Sequence, residues 1–101
     1  MVITVKKIFE IDYEKVNADC VNLTNLCYGK EVFSIENKAF LKKHLDNPFG
    51  KSYSGLIYDD EKLIALNLFL AWEFVINGKV IKAAQSVDSL VHPDYRGRLF
   101  T

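Results

Sequence analysis

The sequence predicts an α+β domain: an antiparallel sheet of four strands with two helices inserted between the first and second, in the order β-α-α-β-β-β. Three observations carry this. Two segments with apolar residues at steps of three and four, Tyr13 to Cys27 and Ile35 to Leu45, follow a short β-branched run. Three β-rich segments then follow without another helical pattern. The last two flank Asn77-Gly78, the two-residue signal for a tight hairpin, because both residues tolerate positive φ.

Val2 to Phe9 alternates loosely and is rich in β-branched residues, which predicts the first strand. Asp12 is placed to cap a helix, its carboxylate accepting from the free amides of the first turn. Tyr13, Val16, Cys20, Leu23 and Leu26/Cys27 form one face of that helix. Gly29 ends it, since glycine enters the left-handed region at little cost. Ser34 is the next cap, with Glu36 in the first turn; Ile35, Phe40, Leu41 and Leu45 make the apolar stripe. Asn47-Pro48 stops this helix, because proline disfavours helical geometry in the residue before it. Ser52 to Tyr58 is a strand, Asp59-Asp60-Glu61 a turn, and Lys62 to Ile76 a long apolar strand with both faces partly covered. Lys79 to Val91 is the fourth strand, and His92-Pro93-Asp94 breaks it.

Composition narrows the class. The chain has 101 residues, 50% hydrophobic and 26% charged, which fits a single globular domain over 1–101 and not a disordered segment. Thirteen basic residues balance thirteen acidic ones. A nucleic-acid partner is not expected, since phosphate neutralisation calls for a basic excess. Leu63 to Ile76 is too short to span a bilayer and contains Asn67 and Glu73, and the N-terminus lacks the pattern of a signal peptide, so no membrane association is expected. Cys20 and Cys27, one face of one helix and about 10.5 Å apart along its axis, are too distant to bridge and read as small buried hydrophobes. A reducing, cytoplasmic location fits.

The chemistry-bearing stretch is Gln85 to Thr101, where an apolar strand runs into a His-Pro-Asp turn and a basic, glycine-containing segment. Such a turn can present backbone amides to an anion, with arginines adding charge. Val91-His92-Pro93-Asp94-Tyr95-Arg96-Gly97-Arg98, together with Asn47-Pro48-Phe49-Gly50, Gln85-Ser86 and the element order, resembles the GCN5-related N-acetyltransferase (GNAT) family, whose fourth strand ends in Val-x-Pro-x-Tyr-Arg-Gly. The resemblance covers essentially the whole chain and implies the N-terminal half of an acyl-CoA N-acyltransferase fold, with acetyl-CoA as co-substrate and an amine as acceptor. It implies that Leu90 and Val91 offer backbone groups to the acetyl-pantetheine arm, that Arg96, Gly97 and Arg98 face the pyrophosphate, and that Asp88, on the fourth strand, is the catalytic base.

Two departures from the family pattern set further expectations. The pyrophosphate loop of such proteins reads Arg/Gln-x-x-Gly-x-Gly/Ala, but here Leu99 and Thr101 stand at the glycine positions. The glycine that lets backbone approach a phosphate is missing after Arg98. The sequence also stops where the motif's helix would begin. The chain is therefore expected to be an incomplete domain with little activity alone and weak acetyl-CoA binding.

Ser86 and Ser89 are expected to satisfy local hydrogen bonds, His44 to complement the dipole at the end of the second helix, and His92 to face solvent in the turn. Neither histidine has a second ligand at metal spacing, so no metal site is expected. Trp72, Phe69, Phe74 and the tyrosines read as core and sheet-face residues. With no fifth strand, the 79–91 edge is expected to be open and to form a homodimer. The competing classes are a non-catalytic α+β interaction module that dimerises through that edge, and a cystatin-like binding domain. Acetyl-CoA binding separates the first class from both.

Overall fold

In the computed structural model the described residues are 2–97, with Leu41 described by its backbone alone. The elements are β1 (Ile3–Lys6), α1 (Tyr13–Tyr28), α2 (Ala39–Leu45), β2 (Tyr53–Asp59), β3 (Lys62–Ile76) and β4 (Lys79–Val91), with single 3-10 turns at Ile8–Glu10 and Pro93–Tyr95. The sheet runs β1-β2-β3-β4, antiparallel at each pairing. The expected class and element order are what the chain adopts.

The first strand is shorter than its sequence pattern. After Lys6 the chain bends into the Ile8–Glu10 turn, where the Glu10 carboxylate accepts from Lys7 N–H at 2.8 Å and Ser54 Oγ accepts from Ile8 N–H at 2.8 Å. This drives Ile8 into the core rather than along a strand. α1 begins and ends as its sequence dictates. Asp12 accepts from Lys15 N–H at 3.3 Å, and Gly29, at φ 70°, closes the last turn.

Val16, Cys20 and Leu23 of α1 are buried as expected, but Tyr13 and Leu26 are exposed. Asn17, Val21 and Thr24 are buried instead. The cause is the connection to α2, which wraps the helix on a second side. Asn25 Oδ1 accepts from Val32 N–H and Phe33 N–H, Asn25 Nδ2 donates to Phe33 O, and Asn17 Nδ2 donates to Ile35 O.

α2 starts later than the Ser34 cap implies. Ser34 and Glu36 form a local turn, Ser34 Oγ donating to Glu36 Oε2 at 2.6 Å, and Lys38 takes a left-handed conformation at φ 57°. Asn37 Oδ1 accepts from Ala39 N–H at 2.9 Å, so the helix is capped from Asn37. Of the expected stripe, Phe40 is fully buried and Leu45 packs on the core; the side chain of Leu41 lies outside the described set. After the helix, Asn47 Nδ2 donates to Ala71 O, fixing this exit against β3.

The core lies between α1, α2 and one face of the sheet: Val16, Cys20, Val21 and Leu23 meet Leu56, Tyr58, Leu66 and Leu68. β3 is covered as expected only in its first half. The pairing with β2 ends at Tyr53↔Phe69, and from Leu70 onward β3 pairs with β4 alone. The result is a two-stranded arm bearing exposed Phe74, Val75, Ile76 and Val80, closed by Asn77 (φ 52°) and Gly78 (φ 76°). No helix of the described residues is long and apolar enough to cross a membrane.

Candidate functional site

The site is built on β4. In an antiparallel pair successive side chains alternate between faces. Leu66↔Leu90 and Leu68↔Asp88 are opposed across β3 and β4, and the buried leucines place this row on the helix-covered face. Asp88 is thus the one carboxylate of β4, turned toward the end of α2. The register slips between Leu68 and Phe69, whose partner is Ser86, which leaves Val87 as an extra residue just before Asp88. Such a bulge re-aims the strand locally.

Two residues of α2 meet Asp88. His44 Nε2 donates to Asp88 Oδ2 at 2.8 Å, and Lys43 Nζ donates to the same oxygen at 3.0 Å. The second ring nitrogen, His44 Nδ1, lies 2.7 Å from Ser52 Oγ. The His44 side chain is fully buried and that of Asp88 is 13% exposed. Phe40, one turn back, packs its ring 5.0 Å from the imidazole. Burial by itself pushes the Asp88 carboxyl up. The hydrogen bonds from His44 and Lys43, with their charges, outweigh it and hold the group below the ordinary carboxylate value.

His44 does sit in the last turn of α2, but its ring is a buried partner of Asp88 and Ser52 rather than an exposed charge at a helix end. Sequence reasoning missed it because the two partners stand 8 and 44 residues away. The only local signal was a histidine in an otherwise apolar register with Phe40. His92 is also more enclosed than expected. Its side chain is 12% exposed, its Nδ1 accepts from Asp94 N–H at 3.1 Å, and Tyr95 packs edge-on against it.

Of the residues that the family resemblance assigned to acetyl-CoA, Leu90, Val91, Arg96 and Gly97 lie at the end of β4 and in the turn after it. Leu90 packs against the core. The Val91 carbonyl is already engaged, accepting from Arg96 Nε at 3.1 Å and from Cys27 Sγ at 3.5 Å. Arg96 is exposed but folded back on the strand, and Gly97 takes φ 82°. Tyr95 Oη donates to Asp59 Oδ2 at 2.7 Å, which pins the turn against β2. Arg98 lies outside the described residues. A groove of about 470 Å³ is lined by Val5, Ile57, Asn67, Ser89, Leu90 and Val91. Among the described residues β4 is one of the two outer strands of the sheet, β1 being the other. No group of three or more His, Cys, Asp or Glu residues among them could hold a metal ion.

No protein-family model matches the chain, and no curated protein matches it. Solved structures do. A conserved protein from Enterococcus faecalis V583, described as a "Probable N-Acyltransferase", superposes with TM-score 0.70 at 19% identity, over 97% of this chain and 23% of that one. A "possible acetyltransferase" from Clostridium difficile 630 superposes with TM-score 0.57 at 15% identity, over 97% of this chain and 62% of that one. The chain spans less than two thirds of either protein, and at these identities the likeness is one of fold. The β-α-α-β-β-β sheet-and-helix arrangement is therefore a fold shared with a probable N-acyltransferase and a possible acetyltransferase.

Proposed function

We propose that this chain is an N-acetyltransferase-type domain that, in the complete protein, takes part in moving an acetyl group from acetyl-CoA to an amine. The observation that carries the reading is β4 itself. On a GNAT-like sheet it places one carboxylate, Asp88, upstream of the Ser89–Val91 backbone and of the Arg96-Gly97 segment.

Acetyl-CoA would be held along Leu90 and Val91, with Arg96 and Gly97 toward its phosphates. The residues fit an anion there. Gly97 has φ 82° with no atom of the described residues within 4 Å of a would-be Cβ, so on their side its backbone is open to a close approach. Arg96 supplies charge beside it. The thioester supplies an activated acyl carbon, and what remains for the chain is to orient and deprotonate the amine. Asp88 Oδ2 is occupied by His44 and Lys43, while Oδ1 has no hydrogen-bond partner among the described residues. Oδ1 is thus the oxygen to which an acceptor N–H can be directed. A carboxylate held below its ordinary pKa does not strip a free ammonium, whose pKa is near 10. The amine arrives neutral, its proton already lost to water. As the N–C bond forms and the C–S bond breaks, the nitrogen becomes acidic and its proton passes to Oδ1, while the thiolate leaves and is protonated by solvent.

The test is acetyl transfer by the complete protein to a panel of amines, with Asp88→Asn alongside. The expected result is a loss of turnover of about a hundredfold or more, typical of a removed acid–base group, with acetyl-CoA binding retained. Turnover unchanged across pH would remove Asp88 from the mechanism.

A second reading concerns assembly. The outer edge of β4, Lys79–Val91, is unpaired among the described residues and carries no proline. An edge of that length is a template for another strand, so the reading is a homodimer through β4 across a two-fold axis. Sedimentation equilibrium at micromolar concentration decides it. A monomer of 11.6 kDa, or a dimer unaffected by Ala84→Pro, would defeat it.

A further inference from the structure

The imidazole of His44 is tied at both ends, and the two ties come from different parts of the chain. Ser52, just before β2, holds His44 twice: Ser52 N–H donates to His44 O at 2.8 Å, and Ser52 Oγ meets Nδ1 at 2.7 Å. The opposite nitrogen, Nε2, reaches Asp88 Oδ2 on β4 at 2.8 Å. The ring is fully buried against Phe40. It has no freedom to turn without breaking a hydrogen bond in a place water does not reach, which is costly.

We propose, resting on the acetyl-transfer reading above for its catalytic consequence, that His44 is a positioning residue for Asp88: clamped by Ser52, it holds Oδ2 through Nε2 and leaves Oδ1 as the oxygen presented to the acceptor amine. The hydroxyl of Ser52 suits this role because it can donate to a neutral Nδ1 or accept from a protonated one. The ring therefore keeps both bonds in either charge state, and the aim of Asp88 does not depend on which is present. Lys43, from the same helix, adds charge to Oδ2 at 3.0 Å but is partly exposed, so water competes for its ammonium and it does not fix direction as a buried ring does. From α1, Cys20 and Asp19 are the groups that feel the cluster. Burial first, then the charges of Asp19 and Asp88, push the Cys20 thiol up, so Cys20 stays neutral beside the pair. The lowered Asp88 carboxyl is what a clamp from His44 produces.

Two isosteric substitutions separate this role from a structural one. The amide nitrogen of Gln reaches the place of Nε2, whereas that of Asn reaches only the place of Nδ1. His44→Gln therefore keeps a donor for Asp88 and loses the Ser52 anchor. His44→Asn keeps the anchor and abandons Asp88. The readout is the titration of the Asp88 side-chain carboxyl by carbon NMR in the full chain. The expected result is an upward shift in His44→Asn and a smaller one in His44→Gln. A His44→Asn protein that titrates as wild type, or the reverse order of the two variants, would overturn the proposal and leave His44 as an anchor of α2. Should His44→Asn fail to fold, wild type still decides. The His44 Nε2 proton signal must be present and protected from exchange with solvent, as a buried bond to Asp88 Oδ2 requires, and a missing or freely exchanging proton overturns the clamp. In an acetyl-transfer assay of the complete protein, His44→Asn lowers kcat by about a hundredfold, the cost of a misaimed group, with KM for acetyl-CoA unchanged. A protected His44 Nε2 proton in a complete protein that transfers no acetyl group to any amine would uphold the clamp and reject the acetyl-transfer reading.

Discussion

Lys43 Nζ and His44 Nε2, consecutive residues of α2, both donate to Asp88 Oδ2, at 3.0 and 2.8 Å. A single carboxylate oxygen therefore joins the end of α2 to β4. Asp88→Ala leaves the buried His44 N–H without an acceptor, which costs about 3 kcal/mol. Asp88→Asn keeps an oxygen for His44 and costs about 1 kcal/mol, since Lys43 can turn to water. Urea denaturation at neutral pH distinguishes the two, and equal losses would contradict the shared-oxygen geometry.

The pH dependence follows from the same contacts. Burial pushes the Asp88 carboxyl up, and the bonds from His44 and Lys43 reverse this, so the folded-state value lies below the ordinary 3.8. A depressed carboxyl adds stability that is complete above the unfolded-state value and disappears as pH falls through the folded one. The stability gap between wild type and Asp88→Asn is expected to be constant at pH 5 and above, by about the reference value, and to narrow only below 3.8. A gap that narrows on raising the pH from neutral would contradict this.

Cys20 reports the α1 interface. Burial, then the charges of Asp19 and Asp88, push its thiol from 9.0 up to about 12. A raised thiol contributes stability that is fully present below the unfolded-state value and is lost as pH climbs from 9.0 toward about 12. In native protein a thiol reagent at mildly alkaline pH is expected to leave Cys20 unmodified and to reach it only on unfolding. Rapid labelling of Cys20 in the folded state would contradict its burial.

The arm and the core differ in what they tolerate. Leu68 is fully buried opposite Asp88, and Leu68→Ala is expected to cost about 2–5 kcal/mol. Val75, 73% exposed on the arm, is expected to cost within about 0.5 kcal/mol as Val75→Ala. Gly78→Val costs about 1–2 kcal/mol through backbone strain alone, because Gly78 sits at φ 76° with open space where its Cβ would go. Denaturation curves for the three variants check the order.

What was legible in the sequence was local. Asp12 and Gly29 bound α1 because capping needs only neighbouring backbone groups. Asn77 and Gly78 set the hairpin because their φ preferences are intrinsic, and Lys62–Ile76 and Lys79–Val91 took their expected ends from it. Ser34 misled because its hydroxyl found Glu36 two residues on, and the helix waited for Asn37. Tyr13 and Leu26 fell outside the buried face because the Asn17 and Asn25 side chains bind the following loop across the other side. Asp88 was singled out by the family resemblance, as the acidic residue of the fourth strand. Its partners could not be, since the contact with His44 depends on how α2 docks and on the slip at Val87.

The most direct test of the account is an amide NMR titration with acetyl-CoA, extended to millimolar ligand. The account predicts that the amides of Leu90, Val91, Arg96 and Gly97 shift together along one saturable curve. The affinity should be weaker than the low micromolar range, about −8 kcal/mol, because no glycine follows Arg98 and the Val91 carbonyl is already engaged. Unmoved amides at those four positions, or shifts confined to the arm between Leu70 and Gln85, would contradict it.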